Sequence, residues 1–107
     1  MSWTRVCAEN ELAPGETRVV WDGDTPILVL NFDGEIYAVE DKCTHEDYEL
    51  SAGPFDADEG VLECLLHSAK FDVRTGAALC APAYLPLVKF PVKVEDGAVW
   101  TRNDRQS

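Results

Sequence analysis

The sequence has few histidines, few basic residues and no long apolar run. It contains 2 His, and its 9 Lys and Arg stand against 20 Asp and Glu, which gives a formal net charge of −11. Because contacts to phosphate need clustered Lys and Arg, this balance argues against nucleic acid as a partner. No apolar run approaches the roughly 20 residues that span a bilayer, and the first residues lack the apolar region of a signal peptide. We therefore expect a cytoplasmic, soluble protein that binds neither nucleic acid nor membrane.

The sequence also lacks the length for two cores. Its 107 residues, 46% of them apolar, indicate a single domain, residues 1–107. There are 4 cysteines, and without an export signal we expect thiols rather than disulfides. Cys7 and Cys80 stand in apolar surroundings with no His or second Cys nearby, so we interpret both as buried core thiols. No Gly-rich nucleotide loop follows a strand, so we do not expect this chain to take hydride from NADH itself.

Short strand-like segments separated by Gly and Pro predict an all-β fold, a sandwich or a barrel. The candidate strands are residues 3–8, 17–21, 27–32, 36–39, 61–64, 69–73, 89–95 and 99–101. Asp33-Gly34 and Asp96-Gly97 predict two tight hairpins. In the segment 89–95 the residues alternate, so we expect Phe90, Val92 and Val94 to share one face. The acidic segment 46–59 is expected to be an irregular loop.

Two short motifs, each with one Cys and one His, contain both histidines of the chain. They are Cys43-Thr44-His45 and Cys64-Leu65-Leu66-His67, and we call them the first and the second clip. Since thiolate and imidazole are metal ligands, we predict that Cys43, His45, Cys64 and His67 hold a metal centre. Two centres fit these donors: a tetrahedral zinc ion, or a [2Fe–2S] cluster in which two His replace two Cys on one iron. The mixed clips favour the iron–sulfur cluster, because zinc sites of this type usually take both Cys from one short segment and both His from another.

The clips and their surroundings resemble the C-x-H…C-x-x-H pattern of Rieske iron–sulfur proteins. The second clip is followed by Phe71-Asp72 and Thr75-Gly76, as in that pattern. The likeness extends over about residues 3–101 to the single-domain Rieske ferredoxins of bacterial ring-hydroxylating dioxygenase systems, through Leu12-Ala13-Pro14-Gly15-Glu16, Gly34-Glu35-Ile36-Tyr37-Ala38-Val39 and Ala81-Pro82-Ala83-Tyr84. Leu65 and Ser68 stand where the family commonly has Pro and Gly. These two departures affect the backbone of the second clip and leave the ligand set complete.

The resemblance implies the Rieske fold and one Rieske-type [2Fe–2S] cluster. In that fold an antiparallel β sandwich or barrel forms the base, and residues 42–72 form a cluster-binding subdomain inserted into it, a cap of two loops. One iron would bind Cys43 and Cys64 on the inner side of the cluster. The other would bind His45 and His67 on the outer side.

The resemblance further implies an electron carrier rather than an enzyme. It would take single electrons from a flavin-dependent NAD(P)H reductase and pass them to the terminal oxygenase of an aromatic-ring dioxygenase, as a monomer in transient complexes. We expect the docking face around His45 and His67, with a rim formed by Glu46, Asp47, Ser68 and residues 82–86. Tyr84 and Leu85 are expected to form its apolar centre. The alternatives are a small Rieske subunit of another reductase, such as nitrite reductase, and a zinc-binding module.

Four positions in and near the two clips predict a low reduction potential. High-potential Rieske proteins carry a Ser and a Tyr two and four residues after the second His, and an extra Cys in each clip that forms a disulfide. The equivalent positions here are Ala69, Phe71, Tyr48 and Leu66, so both hydroxyl donors and both extra cysteines are absent. We expect a midpoint of about −150 mV, at the low end of the Rieske range. Protein-film voltammetry measures it, and a midpoint above zero would contradict the reasoning.

Overall fold

The computed structural model describes residues 3–42, 49–64, 69–79 and 86–103 and shows an all-β fold in this part of the chain, as the sequence predicts. The strands are β1 (Thr4–Ala8), β2 (Thr17–Asp22), β3 (Thr25–Phe32), β4 (Glu35–Glu40), β5 (Phe55–Asp56), β6 (Val61–Glu63), β7 (Lys70–Asp72), β8 (Lys89–Phe90), β9 (Val92–Glu95) and β10 (Ala98–Thr101). Two short 3-10 helices lie at Glu9–Glu11 and Leu50–Ala52. Among these residues no helix is both long and apolar enough to cross a membrane.

The strands form three antiparallel sheets. The outer sheet has the order β1-β10-β9, the central sheet β2-β3-β4-β8 and the small sheet β5-β6-β7. All three strands of the small sheet fall within residues 42–72, the subdomain whose bounds stay a prediction. Phe71 also forms a bridge with Ala78, which extends the small sheet beyond that range.

Strand β3 of the central sheet is buried on both faces. Along β3, Leu28 and Leu30 belong to one apolar core, and Ile27 and Val29 belong to another. The small-sheet core consists of Leu28, Leu30, Val39, Leu50, Leu62, Cys64, Ala69, Phe71, Val73 and Leu87. The outer-sheet core consists of Cys7, Leu12, Ile27, Val29, Ala38, Phe90 and Val99. Because both faces are covered, β3 has an unbroken apolar sequence instead of the alternation of a half-exposed strand.

Both predicted hairpins are present. Asp33 has a φ of 54° and Gly34 one of 88°, and the turn joins β3 to β4. Asp96 and Gly97, with φ of 55° and 74°, join β9 to β10 in the same way. Two consecutive residues at positive φ match the twist of antiparallel strands, and Asp and Gly tolerate this conformation.

The predicted strand over residues 89–95 is instead two strands. Pro91 separates β8, which pairs with β4 of the central sheet, from β9, which pairs with β10 of the outer sheet. Proline has no N–H for a ladder, so the chain changes sheets at this residue. As a result, the expected common face holds only in part: Phe90 is buried in the outer-sheet core and Val92 packs against the same core, whereas Val94 is 46% exposed.

The expectation of an irregular loop over 46–59 is wrong in its described part. Leu50–Ala52 forms a 3-10 helix, and Phe55–Asp56 pairs with β6. Leu50 is completely buried, and Phe55 packs against the small-sheet core. Burial of these two isolated apolar side chains gives this segment an order that its acidic composition does not indicate.

Gly76 occupies a buried turn in which the backbone is crowded. Its φ is +80°, its carbonyl accepts a hydrogen bond of 2.7 Å from the N–H of Leu87, and a Cβ would lie 2.8 Å from the Leu87 carbonyl oxygen. Gly97 has a similar φ of +74°, but a Cβ there would meet nothing within 4 Å. Alanine substitutions at Gly76 and at Gly97 therefore separate the cost of backbone strain from the cost of steric conflict.

We expect Gly76→Ala to lower the free energy of unfolding by about 3 kcal/mol, because it adds overpacking to an unfavourable φ. Gly97→Ala, the control, adds only the unfavourable φ and should lower it by about 1 kcal/mol. Urea unfolding followed by circular dichroism measures both values. Equal losses would contradict the steric role of Gly76.

Candidate metal centre

The structure describes one of the four predicted ligands, Cys64. Cys43, His45 and His67 lie outside the described residues. So do Cys80 and most of the predicted docking face, namely Glu46, Asp47, Ser68, Tyr84 and Leu85.

Cys64 lies directly after β6, with its side chain completely buried in the small-sheet core. Its backbone N–H donates a hydrogen bond of 2.8 Å to the carbonyl of Ala69, next to the pairing of Glu63 with Lys70. The ends of segment 65–68 are thereby held together. The sulfur is a thiol rather than half of a disulfide, and its apolar surroundings suit a thiolate whose charge is balanced by bound metal. This part of the donor set fits an iron–sulfur cluster.

The first clip is tied at its base by a buried carboxylate. Asp41, two residues before Cys43, is only 3% exposed. Its two carboxylate oxygens accept hydrogen bonds of 2.7 Å from the backbone N–H and from the hydroxyl of Ser51. Asp41 also donates its backbone N–H to the carbonyl of Pro26, at 2.9 Å. The sequence reasoning missed this tie, because one Asp among many acidic residues carries no signal of burial.

The ends of three segments converge on one core. Segments 43–48, 65–68 and 80–85 are followed or preceded closely by Leu50, Cys64, Ala69 and Leu87, all buried in the small-sheet core. The third segment is bounded by hydrogen bonds of 2.7 Å from the N–H of Leu79 to the carbonyl of Lys70 and from Leu87 to Gly76. All three segments are therefore attached to the same packed core.

A charged turn follows β7. Burial alone would raise the pKa of the Asp72 carboxyl, but backbone N–H groups of Arg74 and Thr75 and the Arg74 guanidinium together lower it. The N–H of Arg74 donates to this carboxylate at 2.8 Å. The contribution to stability is present above the ordinary pKa of 3.8 and is lost as the pH falls through the lowered value.

Cys7 has a different environment from Cys64. It is buried in the outer-sheet core, and burial raises the pKa of its thiol. The prediction of a buried core thiol is confirmed for Cys7. Because Cys7 lies on the opposite face of the central sheet from Cys64, its substitution is a useful control for substitution of Cys64.

Comparison with known proteins gives a consistent result. Residues 2–91 match the family described as the Rieske [2Fe-2S] domain. The ferredoxin component of biphenyl 2,3-dioxygenase from Rhodococcus jostii is 48% identical over 95 residues, which are 89% of this chain and 87% of that protein. The 3-phenylpropionate/cinnamic acid dioxygenase ferredoxin subunit from Photorhabdus laumondii is 42% identical over 100 residues, 94% of this chain and 93% of that one.

A solved structure agrees over nearly the full length. A chain in the complex of reduced oxygenase and oxidised ferredoxin in carbazole 1,9a-dioxygenase has a TM-score of 0.89 and 36% identity, covering 98% of this chain and 96% of that chain. These findings confirm the expected Rieske fold, the Rieske-type [2Fe–2S] cofactor and the resemblance to electron-transfer components. They favour the iron–sulfur cluster over the zinc module.

We expect Ser51→Ala to loosen the base of the first clip, because it removes one of two hydrogen bonds to a buried carboxylate. If Cys43 and His45 hold iron, release of iron to a chelator should become about fivefold faster, the equivalent of roughly 1 kcal/mol. Loss of visible absorbance after addition of chelator, well below the unfolding transition, measures the rate.

Thr101→Val is the matched control. The buried Thr101 hydroxyl donates to the Pro91 carbonyl at 2.8 Å, in the outer sheet and away from both clips. This variant should lose similar stability with little change in iron release. Equal acceleration in both variants would show that the Asp41–Ser51 tie has no local role.

Proposed function

Because this chain belongs to the family of Rieske [2Fe-2S] domains, we propose that it carries single electrons to the terminal oxygenase of an aromatic-ring dioxygenase system. The observation that carries the proposal is the extent of its match to ferredoxin components. The chain covers 87% of the biphenyl component and 93% of the phenylpropionate component. The likeness therefore includes the scaffold as well as the two clips.

Cys43, His45, Cys64 and His67 are the proposed ligands, with both Cys on one iron and both His on the other. When bound, the cluster accepts one electron and returns it. The protein's own part is to hold the ligands. In support, the buried Cys64 is fixed by its hydrogen bond to Ala69, and the base of the first clip is fixed by Asp41 and Ser51.

A flavin-dependent NAD(P)H reductase is the proposed electron donor, and the protein is proposed to act as a cytoplasmic monomer. A carrier must leave each partner after transfer, so its interfaces should be small and short-lived, often under about 1,200 Å². The proposed docking face surrounds His45 and His67. In support, Leu79 and Pro86, which flank the segment 80–85, are both exposed.

Reconstituted electron transfer tests the function. Wild-type protein is expected to be red-brown, to be reduced by NADH through a flavoprotein reductase, and to be required for turnover by an oxygenase. The oxygenases of the biphenyl, phenylpropionate and carbazole dioxygenase systems are the probes. A cluster-loaded protein that supplies electrons to none of them would contradict the function.

Cys64→Ala and Cys7→Ala form the matched pair of variants, because each removes a buried thiol. Cys64→Ala should lose the visible absorbance of the cluster and the transfer activity. Cys7→Ala should retain both. Full cluster content in Cys64→Ala would show that the ligand set is wrong while leaving the function open to the transfer assay.

A further inference from the structure

A pocket of about 340 Å³ opens at the foot of the first clip. Trp21, Asp24, Asp41, Lys42 and Glu49 are among its lining residues. Lys42 directly precedes Cys43, and Glu49 directly follows the segment 43–48. An occupant of this pocket would therefore contact both ends of the segment that contains two proposed cluster ligands.

One wall of the pocket is an exposed indole. Trp21 lies near the end of β2, which among the described strands is an edge strand of the central sheet, next to β3. Trp21 is 59% exposed, the highest value among the large apolar side chains that the structure describes. Val19, two residues earlier on the same face of β2, is also exposed. Tryptophan exposed in this way is typical of the anchor residues of protein interfaces.

Four of the five charged side chains that line the pocket are acidic, Asp24, Glu40, Asp41 and Glu49, and the fifth is Lys42, so the net charge of the lining favours a cationic occupant. The carboxylate of Asp41 is already bound by Ser51, whereas Asp24 and Glu49 are exposed residues. An aromatic face next to carboxylates is suited to a guanidinium, which stacks on the ring and donates paired hydrogen bonds to the acid. A lysine ammonium lacks the planar shape for both contacts.

We propose that this pocket receives an arginine side chain of the terminal oxygenase when the two proteins dock. The inference rests on the proposed function, because it takes the oxygenase as a partner. The net charge of −11 favours approach by a basic surface. The contact also involves Lys42 and Glu49, the residues on either side of the segment that contains the proposed ligands Cys43 and His45, so one basic anchor would orient the partner toward the cluster.

Oxidation of the reduced protein by the oxygenase, followed by stopped flow, tests the anchor. The oxygenase is the one that the wild-type protein supplies best among the three probes. Trp21→Ala should raise the half-saturating concentration about tenfold and leave the limiting rate unchanged, since it removes a contact and not a ligand. Trp21→Phe should recover part of the loss. Val94→Ala, which truncates an exposed apolar residue of β9, is the control and should change nothing.

A charge-matched pair tests the acidic contribution. Asp24→Asn with Glu49→Gln, and Asp96→Asn with Glu9→Gln, each remove two negative charges and change the net charge from −11 to −9. At roughly 0.1 M salt, where the screening length is about 10 Å, only the first pair should slow association severalfold and reduce its salt dependence. Equal effects of the two pairs would reduce the pocket to part of a general acidic field and overturn the inference.

The remaining outcomes are distinguishable. If the wild-type protein supplies none of the oxygenases, the proposed function fails and the inference fails with it. If wild-type transfer is efficient and Trp21→Ala is indistinguishable from it, the pocket alone is wrong. An effect confined to reduction by the reductase overturns the assignment to the oxygenase. So does a wild-type dimer that Trp21→Ala dissociates in sedimentation, because the occupant would then be a second copy of the chain.

Discussion

The hydrogen bond from the N–H of Cys64, the first residue of the second clip, to the carbonyl of Ala69 joins the two sides of segment 65–68, directly beside the pairing of β6 with β7. It forms inside a core from which water is excluded, because β6 and β7 pack Leu62 and Phe71 against the central sheet. A ligand on an unfixed chain would lose conformational entropy when it bound metal, of order 1 kcal/mol or more per residue ordered. A loop with fixed ends avoids part of that loss. The small-sheet core that surrounds Cys64 includes Leu28 and Leu30 of the doubly buried β3, so the position of Cys64 depends on the central sheet.

Local signals explain what could be read from the sequence. The donor atoms follow from two Cys and two His at short spacing, and the hairpins follow from Asp-Gly pairs that accept positive φ. Each of these features is contained within a few neighbouring residues. The Rieske fold could be predicted for a further reason, because the flanking segments resemble the family outside the clips as well.

The features that escaped prediction are contacts between distant residues. Asp41 becomes a buried acceptor only because Ser51 returns to it after the first clip. Alternation in 89–95 predicts one strand, but Pro91 passes the chain from the central sheet to the outer sheet, and Val94 then faces water. Trp21 is a large apolar residue of the kind expected in a core, yet its position on an edge strand leaves it exposed. In each case the partner strand or residue, rather than the local sequence, decides the environment.

Leu87 and Val88 link the end of β4 to the turn after β7 through the backbone. Leu87 donates its N–H to the carbonyl of Gly76, in the turn after β7, and Val88 accepts from the N–H of Glu40, the last residue of β4. The strand that leads to the first clip and the turn that leaves the small sheet are thus held by two consecutive residues, Leu87 and Val88. A shift of one relative to the other would have to break these bonds. Such a frame resists reorganisation when the charge of the centre changes, and a low reorganisation energy is what lets an electron move quickly between proteins whose potentials are close.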